Sequence, residues 1–214
     1  MKLADKLYKV ENIRGANSYL IDTTAGLVLV DAGMPGSSEK IISYMQKEGL
    51  KPEDLKYIVL THSDVDHVGG VADLKAKTGA KIAIHQADAD VLAGEKPDER
   101  IKGVRGLIFK ILFKFIKLTP VVPDTFLKDG DTIGDLLVIH TPGHTLGSIS
   151  LFDSQRGILF SGDALLGDKQ GNIKPPRPAL ALDIDQANLS AEKLKALNFN
   201  ILLPGHGQPW RGDR

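Results

Sequence analysis

The sequence has no cysteine, one tryptophan and only 6% aromatic residues among its 214 positions. Without thiols there is no disulfide framework, thiolate metal site, iron–sulfur cluster or cysteine nucleophile. Any metal must be held by nitrogen and oxygen, from His, Asp and Glu. Net charge is missing too: 27 Lys and Arg balance 27 Asp and Glu. No field of one sign argues for a nucleic-acid partner, and none is expected. The most hydrophobic stretch, 101–122, is interrupted by Lys102, Arg105, Lys110, Lys114 and Lys117. It does not supply the roughly 20 mostly apolar residues of a bilayer-spanning helix, so no transmembrane segment is expected. Residues 1–10 interleave Lys and Asp with apolar side chains and do not read as a secretory signal, which makes cytoplasmic residence the expectation.

What is present suits one globular domain, 1–214, large enough to bury a continuous core: 42% of residues are apolar, with 22 Gly and 11 Pro as punctuation. Runs at 18–22 and 26–31 read as a hairpin feeding a loop. Ser37 or Ser38 can cap a helix through Gln46 that stops at Gly49. The run 57–60 is a short buried strand ending in a polar cluster, 61–67, before a helix-like stretch from Val68 to Lys77. Further strands are expected at 81–84, 136–139, 148–152, 157–160 and 201–203, with helices near 87–92 and 186–197. Strands and helices mix along the whole chain, which favours a layered α/β domain.

Four polar clusters stand at or near the expected strand ends: THSDVDH at 61–67, TPGHT at 141–145, SGD at 161–163 and PGHG at 204–207. Taken singly, each has an ordinary reading as a helix cap or a solvated turn. Together they supply His62, Asp64, Asp66, His67, His144, Asp163 and His206. Seven nitrogen or oxygen donors are about what two metal ions need when water fills the remaining positions. His62 and Asp64, two apart in an extended segment, share a face, and Asp66 and His67 follow as the chain turns into a helix. His85 and His140 match no ligand motif and read as packing or supporting residues near strand ends.

The ordered set NSYLIDTTAGLVLVDAG, THSDVDHVGG, TPGHTLGS, LFSGDAL and LLPGHG resembles the metallo-β-lactamase superfamily over nearly the entire chain. That resemblance implies a four-layer αββα sandwich with a metal site at one edge. Matched to the family's H-x-H-x-D-H loop, it puts His62, Asp64 and His144 on a first metal, and Asp66, His67 and His206 on a second. Asp163 falls on the carboxylate that bridges them. The implied reaction is hydrolysis of a small ester, lactone, thioester or phosphoester by a water or hydroxide held between two divalent ions. Asp66 is the catalytic candidate, orienting that water and receiving its proton.

Position 64 departs from the pattern, with Asp where the family has His. Two divalent ions bring four positive charges, and Asp64, Asp66 and Asp163 bring three negative ones, where a His at 64 would leave two. Zinc is the family's usual metal, and the extra oxygen ligand tilts the first site toward iron or manganese. It also acidifies bound water less. A carboxylate here is shared with flavodiiron proteins, so the alternative is a di-iron enzyme reducing oxygen or nitric oxide with a separate electron donor. On a helical wheel, Ile101, Val104, Ile108, Ile111, Leu112 and Phe115 form an apolar face opposite Lys110, Lys114 and Lys117. This inserted amphipathic helix, about 101–117, is expected to pack on the core, cover the metal cleft or form a homodimer contact, with a membrane surface as a further reading. The stretch 165–183 is expected to be a long loop bordering the cleft, with Lys169, Lys174 and Arg177 available to an anionic small-molecule substrate.

Overall fold

The computed structural model describes residues 1–97 and 118–212. The expected amphipathic helix at 101–117 lies outside the described residues. The first half builds a seven-stranded sheet from β1 (Lys2–Ala4), β2 (Leu7–Lys9), β3 (Tyr19–Thr23), β4 (Gly26–Val30), β5 (Leu55–Val59), β6 (Lys81–His85) and β7 (Thr125–Leu127), in that order. Strands β1 to β4 pair antiparallel, and β4 to β7 run parallel through helical crossovers. The second sheet has the order β15-β14-β11-β10-β9-β8, formed by β8 (Thr132–Ile133), β9 (Leu136–His140), β10 (Ile149–Asp153), β11 (Ile158–Gly162), β14 (Ile201–Pro204) and β15 (Trp210–Arg211). Its one parallel pair is β11 with β14.

Three apolar layers hold the architecture together. Helices α1 (Ser38–Lys47) and α3 (Val71–Thr78) turn Ile41, Met45, Val71 and Leu74 onto Leu20, Leu29, Ile58 and Ile82 of the first sheet. Tyr19, Val28, Val59, Leu151 and Phe160 fill the space between the sheets. The last helix, α5 (Ile184–Lys195), covers the outer face of the second sheet with Ala191 and Leu194 against Leu159 and Leu202. Helices therefore flank two mixed sheets, the αββα sandwich expected above. Each large side chain buried this way contributes roughly 1.5–3 kcal/mol. Among the described residues, no helix is long and apolar enough to cross a membrane.

Two local expectations are corrected. The helix read from Val68 to Lys77 is broken into α2 (Val65–Val68) and α3. Between them, Gly70 lies so close to the carbonyl of Ala32 that a Cβ would stand 2.6 Å from it, and the carbonyl of His67 accepts a hydrogen bond from Ala32 N–H at 2.7 Å. The chain is thus pinned to the exit of β4 and cannot continue one helix. The long loop at 165–183 contains a hairpin, β12 (Leu166–Gly167) against β13 (Ile173–Lys174). Asp168 organises it by accepting from the backbone of Gln170 and Asn172, and it pairs with Lys174 at 3.2 Å. Lys174 is therefore balanced locally. At α1, Ser37 occupies the cap position but its hydroxyl makes no capping bond; α5 is capped by Asp183, which accepts from Gln186 N–H.

Candidate metal centre

All seven residues singled out from the sequence converge at one edge of the sandwich, where β5, β9, β11 and β14 reach their carboxyl ends. The loop after β5 carries His62 and Asp64 and runs into α2, which carries Asp66 and His67. His144 follows β9, Asp163 follows β11 and His206 follows β14. The first sheet thus delivers four of the groups and the second delivers three.

The donors gather in two triads. Atoms of His62, His144 and Asp163 lie within 4.8 Å of one another, as do those of Asp66, His67 and His206. Asp64 adjoins the first triad, its Oδ2 3.0 Å from His144 Nε2 and 3.4 Å from His62 Nε2. Asp163 stands between the two, with Oδ1 3.5 Å from His67 Nε2 and Oδ2 3.7 and 3.6 Å from the Nε2 atoms of His144 and His206. In the second triad, Asp66 Oδ2 is 3.3 Å from His206 Nε2. The ring centroids of His62 and His67 are only 3.9 Å apart.

The residues fit a pair of cations. His62 Nε2 and Asp163 Oδ1 are buried and have no hydrogen-bond partner among the described residues. Leaving such groups bare costs about 1–3 kcal/mol each or more, a penalty that ligation removes. Hydrogen bonding behind the rings explains why the lone pairs face inward. Asp31, 2% exposed, accepts from Thr61 N–H at 2.8 Å, from Thr61 Oγ1–H at 2.8 Å and from His67 Nδ1–H at 2.8 Å. With its one hydroxyl hydrogen given to Asp31, Thr61 Oγ1 accepts from His62 Nδ1–H at 3.0 Å. Both imidazoles then carry a hydrogen on Nδ1, so Nε2 is the nitrogen turned toward the centre.

Electrostatics in the ion-free chain follow the same geometry. Burial pushes the imidazolium form of His67 down, but the charge of Asp31, the contact with Asp163 and the hydrogen bond to Asp31 outweigh it and raise His67 well above its ordinary range. His62, buried and facing His67 and His144, is held well below that range. Burial pushes the Asp66 carboxyl up, yet the hydrogen bond from His206 and the charges of His67, His206 and His62 bring it down to about 2. Asp163 is depressed likewise: burial opposes its charge, but its contact with His67 prevails.

Backbone geometry makes room for this crowding. Gly205 precedes His206 where a Cβ would stand 2.5 Å from Asp163 Oδ1 and 2.8 Å from His67 Cε1, so no other residue fits without moving both. Gly162, at φ +52°, sits at a register shift in the β11–β14 pair and swings the chain so that Asp163 leaves the ladder. From the first sheet, Tyr19 Oη donates to the carbonyl of Pro204 at 2.8 Å, and Asn17 Nδ2 donates to the carbonyls of Pro204 and Gly207. His85 and His140 do not join the cluster. Their rings stack at 4.2 Å and 5°, as expected of packing residues, with burial and the neighbouring His140 lowering the His85 pKa.

Asp31, Thr61 and Asn17 were not singled out as functional from the sequence. Thr61 lies inside THSDVDH and Asp31 closes an apolar run, GLVLVD, where a carboxylate at the end of a buried strand was a usable signal. Asn17 carried none.

The fold and its cluster of His and Asp donors define an αββα protein with a candidate two-metal site. A family model described as the metallo-beta-lactamase superfamily matches residues 12–206, and the chain belongs to that superfamily, as one of its metal-dependent hydrolases. It is 38% identical over 204 residues to the uncharacterized protein YobT of Bacillus subtilis, covering 90% of this chain and 83% of that one. It is 29% identical to the probable metallo-hydrolase YflN of the same organism, covering 92% and 82%. Among solved structures, TTHA1623 in a di-iron-bound form superposes with a TM-score of 0.73 at 26% identity, covering 95% of this chain and 93% of that one. The class B3 di-zinc metallo-beta-lactamase LRA-12 from an Alaskan soil metagenome gives 0.69 at 26%, covering 96% and 77%. Two-metal sites of more than one metal therefore occur on this scaffold.

Proposed function

We propose that the chain hydrolyses a small ester, lactone, thioester or phosphoester at a two-metal centre in which His62, Asp64 and His144 serve one ion, Asp66, His67 and His206 the other, and Asp163 both. The observation that carries this reading is Asp163, a buried carboxylate within 3.7 Å of imidazoles from both triads, with one oxygen lacking a hydrogen bond among the described residues. When bound, a pair of divalent ions supplies Lewis-acid polarisation of a carbonyl or phosphoryl oxygen and an acidified water.

The chain's own groups do the rest. Thr61 and Asp31 keep the His62 and His67 lone pairs turned inward before a substrate arrives. Asp66, whose carboxyl the His206 hydrogen bond and the neighbouring imidazoles hold low against the effect of burial, orients water as an acceptor and takes part in passing on its proton. Asp64 adds a third carboxylate beside four imidazoles and keeps the local positive charge low, which suits a substrate attacked under mildly alkaline conditions.

Metal content per chain, measured on protein isolated without added metal, followed by turnover on a panel of lactones, thioesters, phosphodiesters, phosphotriesters and β-lactams, tests the proposal. Asp163→Ala is expected to remain folded, lose bound metal and lose turnover by at least about a hundredfold; full activity would reject the assignment. The position of Asp64 against His62 and His144 also favours a second reading, a di-iron redox centre supplied by a separate electron donor. Stoichiometric iron with oxygen uptake dependent on a reductant, and no hydrolysis across the panel, would select it.

A further inference from the structure

One buried group outside the two triads ties together two of the loops that supply the first. Asp88, 3% exposed, lies in α4 (Gln86–Leu92), the helix after β6. Its Oδ2 accepts from Ser63 N–H at 2.9 Å, and its Oδ1 accepts from Gly147 N–H at 2.8 Å. Ser63 sits between His62 and Asp64. Gly147 ends the turn that carries His144. One carboxylate therefore spans from the first sheet's loop to the second sheet's loop, with each oxygen committed to a different one.

The surroundings fix this arrangement from both sides. A Cβ at Gly147 would stand 2.6 Å from Asp88 Oδ1 and 2.7 Å from Asp88 N, so position 147 has no room for a side chain against the carboxylate and the start of α4. The stacked histidines make a further connection, between the start of α4 and the His144 turn. His85 Nδ1 caps α4 by accepting from Ala87 N–H at 3.2 Å, and His140 Nε2–H donates to the carbonyl of Leu146 at 2.9 Å. The rings meet face to face between the end of β6 and the end of β9, which seats α4 against the second sheet. Nothing comparable from Asp88 reaches Asp66, His67 or His206 among the described residues.

We propose that Asp88 is a positioning residue for the first triad: it sets the distance between the His62–Asp64 loop and the His144 turn, and thereby the affinity of that half of the centre alone. This rests on the two-metal reading above. Asp88→Asn is close in shape but offers one acceptor oxygen, so its amide nitrogen must face a backbone N–H and one of the two loops is released. Gly147→Ala attacks the same tie from the opposite side.

The test titrates zinc and, separately, manganese into the metal-free full-length protein against a chromophoric chelator, together with thermal unfolding of the metal-free forms. The parent is expected to bind two ions. Each variant is expected to bind one ion with the parent's affinity and the other at least about tenfold more weakly, with amide exchange accelerated in 61–64 and 141–147. Two ions at parental affinity would overturn the proposal. So would loss of both ions together, or of the fold in both variants, since Asp88 would then be a general structural residue. A parent that binds neither ion would sink the two-metal reading itself, a different outcome from either.

Discussion

Replacing Asp31 by Asn tests the hydrogen-bond logic of the centre without emptying it. Asp31 has φ +58°, a conformation Asn also tolerates, so the backbone has no reason to move. The carboxylate accepts three hydrogen bonds through two oxygens, from Thr61 N–H, Thr61 Oγ1–H and His67 Nδ1–H. An Asn amide has two orientations there. With its oxygen toward Thr61 N–H, its NH2 faces His67 Nδ1, which must become the acceptor; the ring hydrogen then moves to Nε2 and blocks the atom aimed at the metal. With the amide reversed, two N–H groups confront each other at Thr61, at a cost of about 1–3 kcal/mol. Either way, metal affinity is expected to fall about 10–100-fold, roughly 1.4–2.7 kcal/mol, in line with the loss of a carboxylate behind a ligating histidine. Chelator competition on parent and variant reads this directly, and NMR of the ring nitrogens reports the tautomer of His67. An affinity within twofold of the parent, with His67 still protonated at Nδ1, would refute the reasoning.

Gly205→Ala places a Cβ 2.5 Å from Asp163 Oδ1, against the 3.4 Å at which ordinary contact begins, an overlap of about 0.9 Å. Displacement of that order costs around 100-fold in turnover, and kinetics beside metal analysis will show whether the loss follows the ions; parental values would contradict the packing. Because Asp31 and Asp163 raise the His67 pKa, metal must displace a proton from it: affinity should fall as pH drops below that raised value, and uptake at neutral pH should release protons. Calorimetry in buffers of different ionisation enthalpy measures that release, and heats independent of buffer would exclude it. By the same sign, the His67 contribution to ion-free stability is present below the ordinary histidine range and disappears as pH rises through the raised value. Asp64→His should favour zinc and shift the acidic limb of the pH–rate profile to lower pH; an unchanged or higher midpoint would dismiss the charge argument.

Much of the centre was legible in the sequence because its donors sit in short, chemically dense segments after strands: His62 through His67, His144, Asp163 and His206 needed only spacing and residue type. The apolar runs likewise marked the core strands to within one or two residues. What escaped depends on approach through space. Asp31 and Thr61 act on rings from behind, and a Thr beside a His has no distinctive pattern. Asp88 lies in an ordinary-looking amphipathic turn, and only folding reveals that both its oxygens are committed. The break between α2 and α3 was missed because 3.6-residue periodicity survives across Gly69 and Gly70, while the contact with Ala32 that forces the break comes from thirty-odd residues upstream.

Tyr19 offers a last consequence. Its ring packs edge-on against Phe160 between the sheets, at 5.7 Å, while its hydroxyl holds the Pro204 carbonyl just ahead of Gly205 and His206. The halves of the sandwich are therefore registered by a strut whose far end is a metal-facing turn. Slack introduced deep in that seam, by trimming Phe160 for instance, would be felt at His206 as a change of aim, so the candidate centre can be detuned from the buried interior of the sandwich.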